Sequence, residues 1–329
     1  MKYIHQIAQV SLLLVAVAAF RPASAQTAEP SAILSSSAAP QVFAADDQHG
    51  DLLTIHARVN EVNVLFTATD KHGRFVRNLG QTDFSILDDH KPPQAVLNFR
   101  HDTDLPIELG LLIDVSGSVD TRFAFEQQAA TSFLQNVLRP GFDRAFVDGF
   151  NTKTQLVQDF TGNVQLLSAG IHRLHDGGGT ALYDAVYNIC RDKFLNDRPN
   201  HPIRKAIVII TDGEDNQSEH TRAQAIEMAQ RAEVIVYAIS TDDSGLVLRG
   251  DGVLEQIADS TGGRAFFPFK VKDITRSFAA IETELRSQYV VSYRPAAFDA
   301  DGRYRSIEIS AMRKDLQVRS RRGYFAPQH

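Results

Sequence analysis

The chain has 329 residues, 43% of them hydrophobic and 22% charged, a balance that supports a sizeable packed core and favours two domains. A net charge of −6 and a pI near 6.0 exclude the basic footprint of a nucleic-acid-binding surface. A single cysteine excludes an internal disulfide framework.

Residues 1–25 read as a secretory signal. Lys2 gives a positive start, Val10 to Phe20 an apolar run, and Ala23-Ser24-Ala25 a cleavage site. The run is short for a membrane span and no second one follows, so the mature chain is expected to be periplasmic or secreted, with no transmembrane segment. No cysteine follows the run, which removes the usual bacterial lipid-attachment residue. Cleavage removes Lys2 and Arg21 and takes the charge from −6 to about −8. Residues 26–50, rich in Ala, Ser, Pro and Gln, are expected to form a flexible linker.

A β-unit is expected over 51–103. Period-two alternation runs from Thr54 to Thr69, Asp70 to Gly73 supplies a turn, and Phe84 to Leu87 and Ala95 to Arg100 read as two more strands. At Ile107 the pattern changes. Ile107 to Ile113 and Ala206 to Ile210 are apolar throughout, as strands buried on both faces must be. Between and after them, helices are expected over 120–138, 164–174, 181–195, 221–231, 252–260 and 271–287, and strands over 144–150, 154–160, 233–239 and 264–267. Alternation of this kind predicts an α/β fold: a Rossmann-like, doubly wound, mainly parallel sheet over 104–287. The strands 144–150 and 154–160 are too close for a crossover and must form an antiparallel hairpin at an edge. Residues 288–329 return to β-character, with strands over 289–293, 304–310 and 316–321. Three strands alone are marginal, so this segment is expected to complete the N-terminal β-unit as a small sandwich, with the α/β domain inserted between its halves.

Five oxygen-bearing side chains fall where strands of the parallel sheet should end. Asp114, Ser116 and Ser118 follow the strand at 107–113, Asp212 follows that at 206–210, and Thr180 comes after Gly177-Gly178-Gly179. In open α/β sheets, ligands bind outside the carboxyl ends of the strands. Each fragment alone reads more readily as a helix cap or a turn. Together, with no His or Cys among them, they suit a hard divalent cation. No nucleophile–base pair or cofactor fingerprint accompanies them, so no catalytic residues are expected.

The segment from about Leu105 to Leu285 resembles a von Willebrand factor type A domain. The family's metal-ion-dependent adhesion site, D-x-S-x-S with a distal Thr and Asp, is matched here by Asp114-Val115-Ser116-Gly117-Ser118, Thr180 and Asp212. The flanks, with Val62-Asn-Val, Gly73-Arg, Asp83-Phe84, Gln288-Tyr289 and Arg322-Gly323-Tyr324-Phe325, are similar to a bacterial subgroup of exported proteins in which a β-unit precedes the A domain. The resemblance implies that Ser116, Ser118 and Thr180 supply hydroxyl oxygens to Mg²⁺ (or Mn²⁺ or Ca²⁺), directly or through water. It implies that Asp114 and Asp212 supply charge, and that a partner protein's Asp or Glu carboxylate takes the remaining position. The expected function is an exported adhesion-type module; the alternative is an envelope scaffold or assembly factor whose metal is mainly structural.

Other residues carry quieter expectations. Glu214, Asp215, Asn216 and Asp242-Asp243 read as a solvated rim, and Asp184 as either a support behind the site or a helix-surface acid. Cys190 falls on an apolar stripe with Leu182, Val186 and Ile189 and reads as an inert buried thiol, while His172 and His175 lack the company of zinc ligands. Arg319, Arg321 and Arg322 are expected along an exposed strand edge.

Overall fold

The computed structural model describes residues 61–101, 104–117, 123–175, 177–196, 203–242, 248–268 and 270–327. The expected signal segment, the linker, the start of the first alternating stretch and Ser118 therefore lie outside the described residues.

The chain runs through β1 (Val62–Asp70), β2 (Phe84–Asp88), β3 (Ala95–His101), β4 (Ile107–Asp114), α1 (Phe123–Val137), β5 (Arg144–Phe150), β6 (Thr154–Thr161), α2 (Val164–Ile171) and α3 (Leu182–Ile189). It continues through β7 (Arg204–Thr211), α4 (Arg222–Arg231), β8 (Ile235–Ser240), α5 (Arg249–Thr261), β9 (Ala265–Phe266) and α6 (Ile274–Leu285). It closes with β10 (Tyr289–Arg294), β11 (Tyr304–Ala311), β12 (Leu316–Ser320) and β13 (Gly323–Phe325).

Six strands form one sheet in the order β6-β5-β4-β7-β8-β9. Five are parallel and β6 pairs antiparallel with β5 at the edge, as the short spacing requires. Every residue of β4 is buried, because helices cover both faces of the sheet. Ala129, Ala130, Phe133 and Leu134 of α1, with Ile274, Phe278, Ile281 and Leu285 of α6, pack on one face. Phe133 and Phe278 stack there with ring centroids 4.6 Å apart. Leu182, Val186 and Ile189 of α3, Ala225 and Ala229 of α4, and Leu254 and Ile257 of α5 pack on the other. The helix expected over 181–195 is α-helical only to Ile189; Cys190–Leu195 widens into a π-turn.

The flanking segments form two antiparallel sheets, β12-β1-β10-β3 and β13-β11-β2. Strands from before and after the α/β unit are thus direct neighbours: β1 pairs with β10 and β12, β2 with β11, and β3 with β10. Their core is aromatic, with Phe66, Phe84, Phe99 and Tyr289 in mutual ring contact. The buried Asp88 accepts hydrogen bonds from the hydroxyls of Tyr293 (2.8 Å) and Tyr324 (3.1 Å). This gives the Arg322-Gly-Tyr-Phe325 stretch a structural role and accounts for β13, a strand that sequence patterning does not predict.

Of the three C-terminal arginines only Arg322 is solvent-exposed as expected; Arg319 and Arg321 are drawn against the α/β unit. Arg319 pairs with the buried Glu284 of α6, and Arg321 donates to the Asn63 carbonyl (2.9 Å) and meets Glu233 (3.3 Å). The backbone N–H of Arg322 donates to the Ser260 carbonyl (3.2 Å), and its guanidinium meets Asp259 (3.4 Å). Alternation predicts which residues leave the sandwich together, but not that the α/β unit stands on that side with acids in place. The junction is further fixed by Arg286, which donates to the Val137 carbonyl and to Asp143, and by Arg77, which donates to the Ser287 hydroxyl.

Candidate metal centre

β4 has β5 on one side and β7 on the other, so strand order reverses at β4 and a crevice opens at the carboxyl ends of β4 and β7. Asp114 is the last residue of β4, and Ser116 follows in the next turn. Asp212 comes directly after β7, and Thr180 two residues before α3.

Hydrogen bonds tie these loops into a ring. Gly117 N–H donates to the Gly178 carbonyl (3.2 Å) and Gly177 N–H to the Val115 carbonyl (2.7 Å), joining the β4 turn to the glycine run. Asn151, just past β5, holds the same run: its amide donates to the Gly177 carbonyl (2.7 Å), and its carbonyl accepts from Ala181 N–H (2.7 Å). Thr180 N–H donates to Asn216 Oδ1 (3.0 Å), while Asn216 N–H and Gln217 N–H both donate to the Thr180 carbonyl (3.0 Å each). The Thr211 hydroxyl closes the ring by donating to Asp114 Oδ2 (2.6 Å). Glycine is required at Gly213, where φ is +80° and an added Cβ would lie 2.4 Å from the Gly250 carbonyl oxygen. The structure therefore brings Asp114, Ser116, Thr180 and Asp212 together at one corner; Ser118 lies outside the described residues.

Asp114 is 2% exposed, and burial pushes its carboxyl above the ordinary range. The Thr211 and Ser116 hydrogen bonds pull it back, and the nearby charge of Asp212 pushes it up again. One oxygen of Asp212 accepts from Glu214 N–H (3.0 Å). No lysine or arginine among the described residues pairs with either acid. Thr180 is 5% exposed, and its hydroxyl is taken up by none of the described residues. Two acids without a countercharge, beside buried hydroxyl groups, fit a hard cation. Among the described residues no three His, Cys, Asp or Glu side chains gather as a metal cage.

The neighbours of the site differ from the expected solvated rim. Asp215 accepts from Tyr183 N–H (3.0 Å) and the Ser218 hydroxyl (2.6 Å), and so fastens the start of α3. Asp184 accepts from the backbone N–H groups of Glu219 (3.0 Å) and His220 (2.8 Å) and from the His220 ring (2.7 Å). Burial raises the Asp184 carboxyl, but these hydrogen bonds outweigh it and hold it below the usual range. Glu214 is exposed as expected, and Asp243 lies outside the described residues. Thr211 and Asn151 are supports that sequence reading missed, and Asn216, expected as rim, is a support as well; the local signal is a polar residue at each strand end or tight turn. Cys190 is fully buried, and burial pushes its thiol upward; His172 and His175 are exposed.

An open, doubly wound α/β domain with an oxygen-lined corner at its switch point defines a ligand-binding fold of known class. Residues 109–214 match the sequence profile of the von Willebrand factor type A domain, and the chain carries a domain of that family. No curated protein sequence matches the chain. Among solved structures, it is similar to the von Willebrand factor type A protein from Catenulispora acidiphila (14% identity, TM-score 0.48, covering 74% of this chain and 72% of that one). It is also similar to proximal thread matrix protein 1 from the mussel byssus, in a structure with a zinc-occupied MIDAS motif (15%, TM-score 0.48, 61% and 50%). A third likeness is to the PilB minor pilin from Streptococcus sanguinis (15%, TM-score 0.45, 60% and 63%). The matched part of this chain spans about half the length of the mussel protein. Among the described residues no helix is long and apolar enough to cross a membrane.

Proposed function

We propose that this chain is an exported, divalent-metal-dependent protein-binding module that captures an acidic side chain of a partner. The observation that carries this reading is the hydrogen-bonded ring that gathers Asp114, Ser116, Thr180 and Asp212, with no lysine or arginine among the described residues pairing with either acid. Ser116, Thr180 and, on the family pattern, Ser118 would present hydroxyl oxygens, with Asp114 and Asp212 supplying charge. When bound, Mg²⁺ or a similar ion supplies an electrophilic position that favours an incoming carboxylate. Thr211 and Asn216 hold the acid and hydroxyl donors in place beforehand, so little ordering remains to be done on binding. No nucleophile–base pair occurs among the described residues of the ring.

The test is Mg²⁺ titration of the wild type and Asp114→Ala, followed by affinity capture from exported lysate in Mg²⁺ and in EDTA. Saturable Mg²⁺ binding lost in the variant, with capture lost in EDTA, is expected. Equal metal affinity in both proteins sinks the site. Equal capture in EDTA instead favours the scaffold reading, which draws on the direct protein ties between the loops.

A further inference from the structure

Asn216 makes contacts that a rim residue has no need of. Thr180 N–H can only donate, so the Asn216 atom 3.0 Å from it must be the amide oxygen; this fixes the amide's orientation and turns its NH₂ away from Thr180. The backbone N–H of the same residue donates to the Thr180 carbonyl (3.0 Å). One residue thus grips the peptide groups on both sides of the Thr180 Cα. Gly179 makes room for the grip, since a Cβ there would lie 2.8 Å from the Asn216 oxygen. Asn216 itself is exposed, so these bonds are not a by-product of core packing.

Resting on the proposed metal reading, we infer that Asn216 is the positioning residue for Thr180, and that its neutrality keeps the site receptive to an acidic partner. Asp would offer the same acceptor oxygen to Thr180 N–H, and the hydrogen bond would persist. It would also put a negative charge against the Thr180 backbone, on the edge of the corner, which attracts the ion and repels a partner carboxylate. Alanine removes the acceptor without adding charge. Positioning and charge can therefore be separated at a single position.

The experiment measures Mn²⁺ affinity by electron paramagnetic resonance, and acetate uptake by the loaded protein through relaxation of metal-bound water. The proteins are wild type, Asn216→Ala, Asn216→Asp and Asp114→Ala, each checked for folding by circular dichroism. Loss of one hydrogen bond predicts Mn²⁺ binding weakened roughly five- to tenfold in Asn216→Ala. Asn216→Asp should bind Mn²⁺ at least as tightly as wild type yet take up acetate roughly tenfold more weakly. A purely structural role for Asn216 cannot produce that split. Unchanged Mn²⁺ affinity in Asn216→Ala, or an Asp variant as defective in Mn²⁺ as the Ala variant, overturns the positioning role. Wild-type acetate uptake by Asn216→Asp overturns the charge argument. Wild type and Asp114→Ala binding Mn²⁺ alike would instead remove the metal site itself, and this inference with it.

Discussion

Thr211→Val replaces a hydroxyl by a methyl of nearly the same size, at a residue with no exposed surface. It deletes the hydrogen bond to the buried Asp114 carboxylate (2.6 Å) and the acceptor for Gly213 N–H (3.2 Å). A bond to a charged group contributes about 1.5–3 kcal/mol, and a stranded backbone donor adds about 1 kcal/mol, so the expected loss in metal-free protein is about 2–4 kcal/mol. For a domain of this size that lowers Tm by roughly 5–10 °C. The pH signature is specific. Burial already raises the folded Asp114 above its ordinary value of 3.8, so the folded state holds this proton more tightly and loses that advantage as pH rises from 3.8 through the raised value. Losing the Thr211 donor raises Asp114 further. The deficit of the Val variant should therefore be larger at pH 7 than at pH 4, and Thr211→Ser, which keeps the hydroxyl, should recover most of it. Thermal melts in EDTA at the two pH values decide the matter. Identical melts for Val and Ser, or a deficit that ignores pH, would refute the reasoning.

Three further outcomes are expected. Burial pushes Asp148 up to about 7, so its folded form keeps a proton that the unfolded chain releases near 4, and this stabilisation fades as pH rises from about 4 to about 7. Asp148→Asn keeps an acceptor for Gln155 N–H and should be more stable than wild type at pH 8, by on the order of 1–3 kcal/mol, with the gap closing at pH 4 in urea titrations. Arg319→Ala leaves Glu284 buried without its partner and should destabilise by about 2–3 kcal/mol, discounted for the partly exposed guanidinium; adding Glu284→Gln should recover part of the loss in the same melts. At Gly250 an added Cβ would lie 2.1 Å from the Asp212 carbonyl oxygen, so Gly250→Ala must push the Asp212 loop away and should abolish most of the Mg²⁺-induced rise in Tm.

What the sequence discloses follows from the range over which each signal acts. β4 and β7 are legible because burial on both faces demands unbroken apolar runs. The β5–β6 hairpin is legible because three intervening residues cannot make a crossover. α6 is legible from the spacing of Ile274, Phe278, Ile281 and Leu285. The π-turn at Cys190–Leu195 is not, since Cys190 and Phe194 continue the apolar stripe and only the backbone bonding changes. β8 begins at Ile235 rather than Glu233 because Glu233 turns with φ of +57°. At the site, the residues of the family pattern stand out as a group, whereas Thr211 and Asn216 look like ordinary turn residues. Their roles depend on partners 97 and 36 positions away, which no local pattern encodes.

β3 delivers the chain into the α/β unit and β10 receives it back, and these two strands lie side by side, with His101 opposite Tyr289. Both leads leave the unit at the end away from Asp114 and Asp212, because β4 starts there and α6, running back along the sheet, finishes there. A load applied at the Asp114 corner would thus stretch the unit lengthwise and draw on two adjoining strands in unison, rather than unzip one from the other. Tension at the tip would be shared across the β3–β10 ladder rather than fall on one strand.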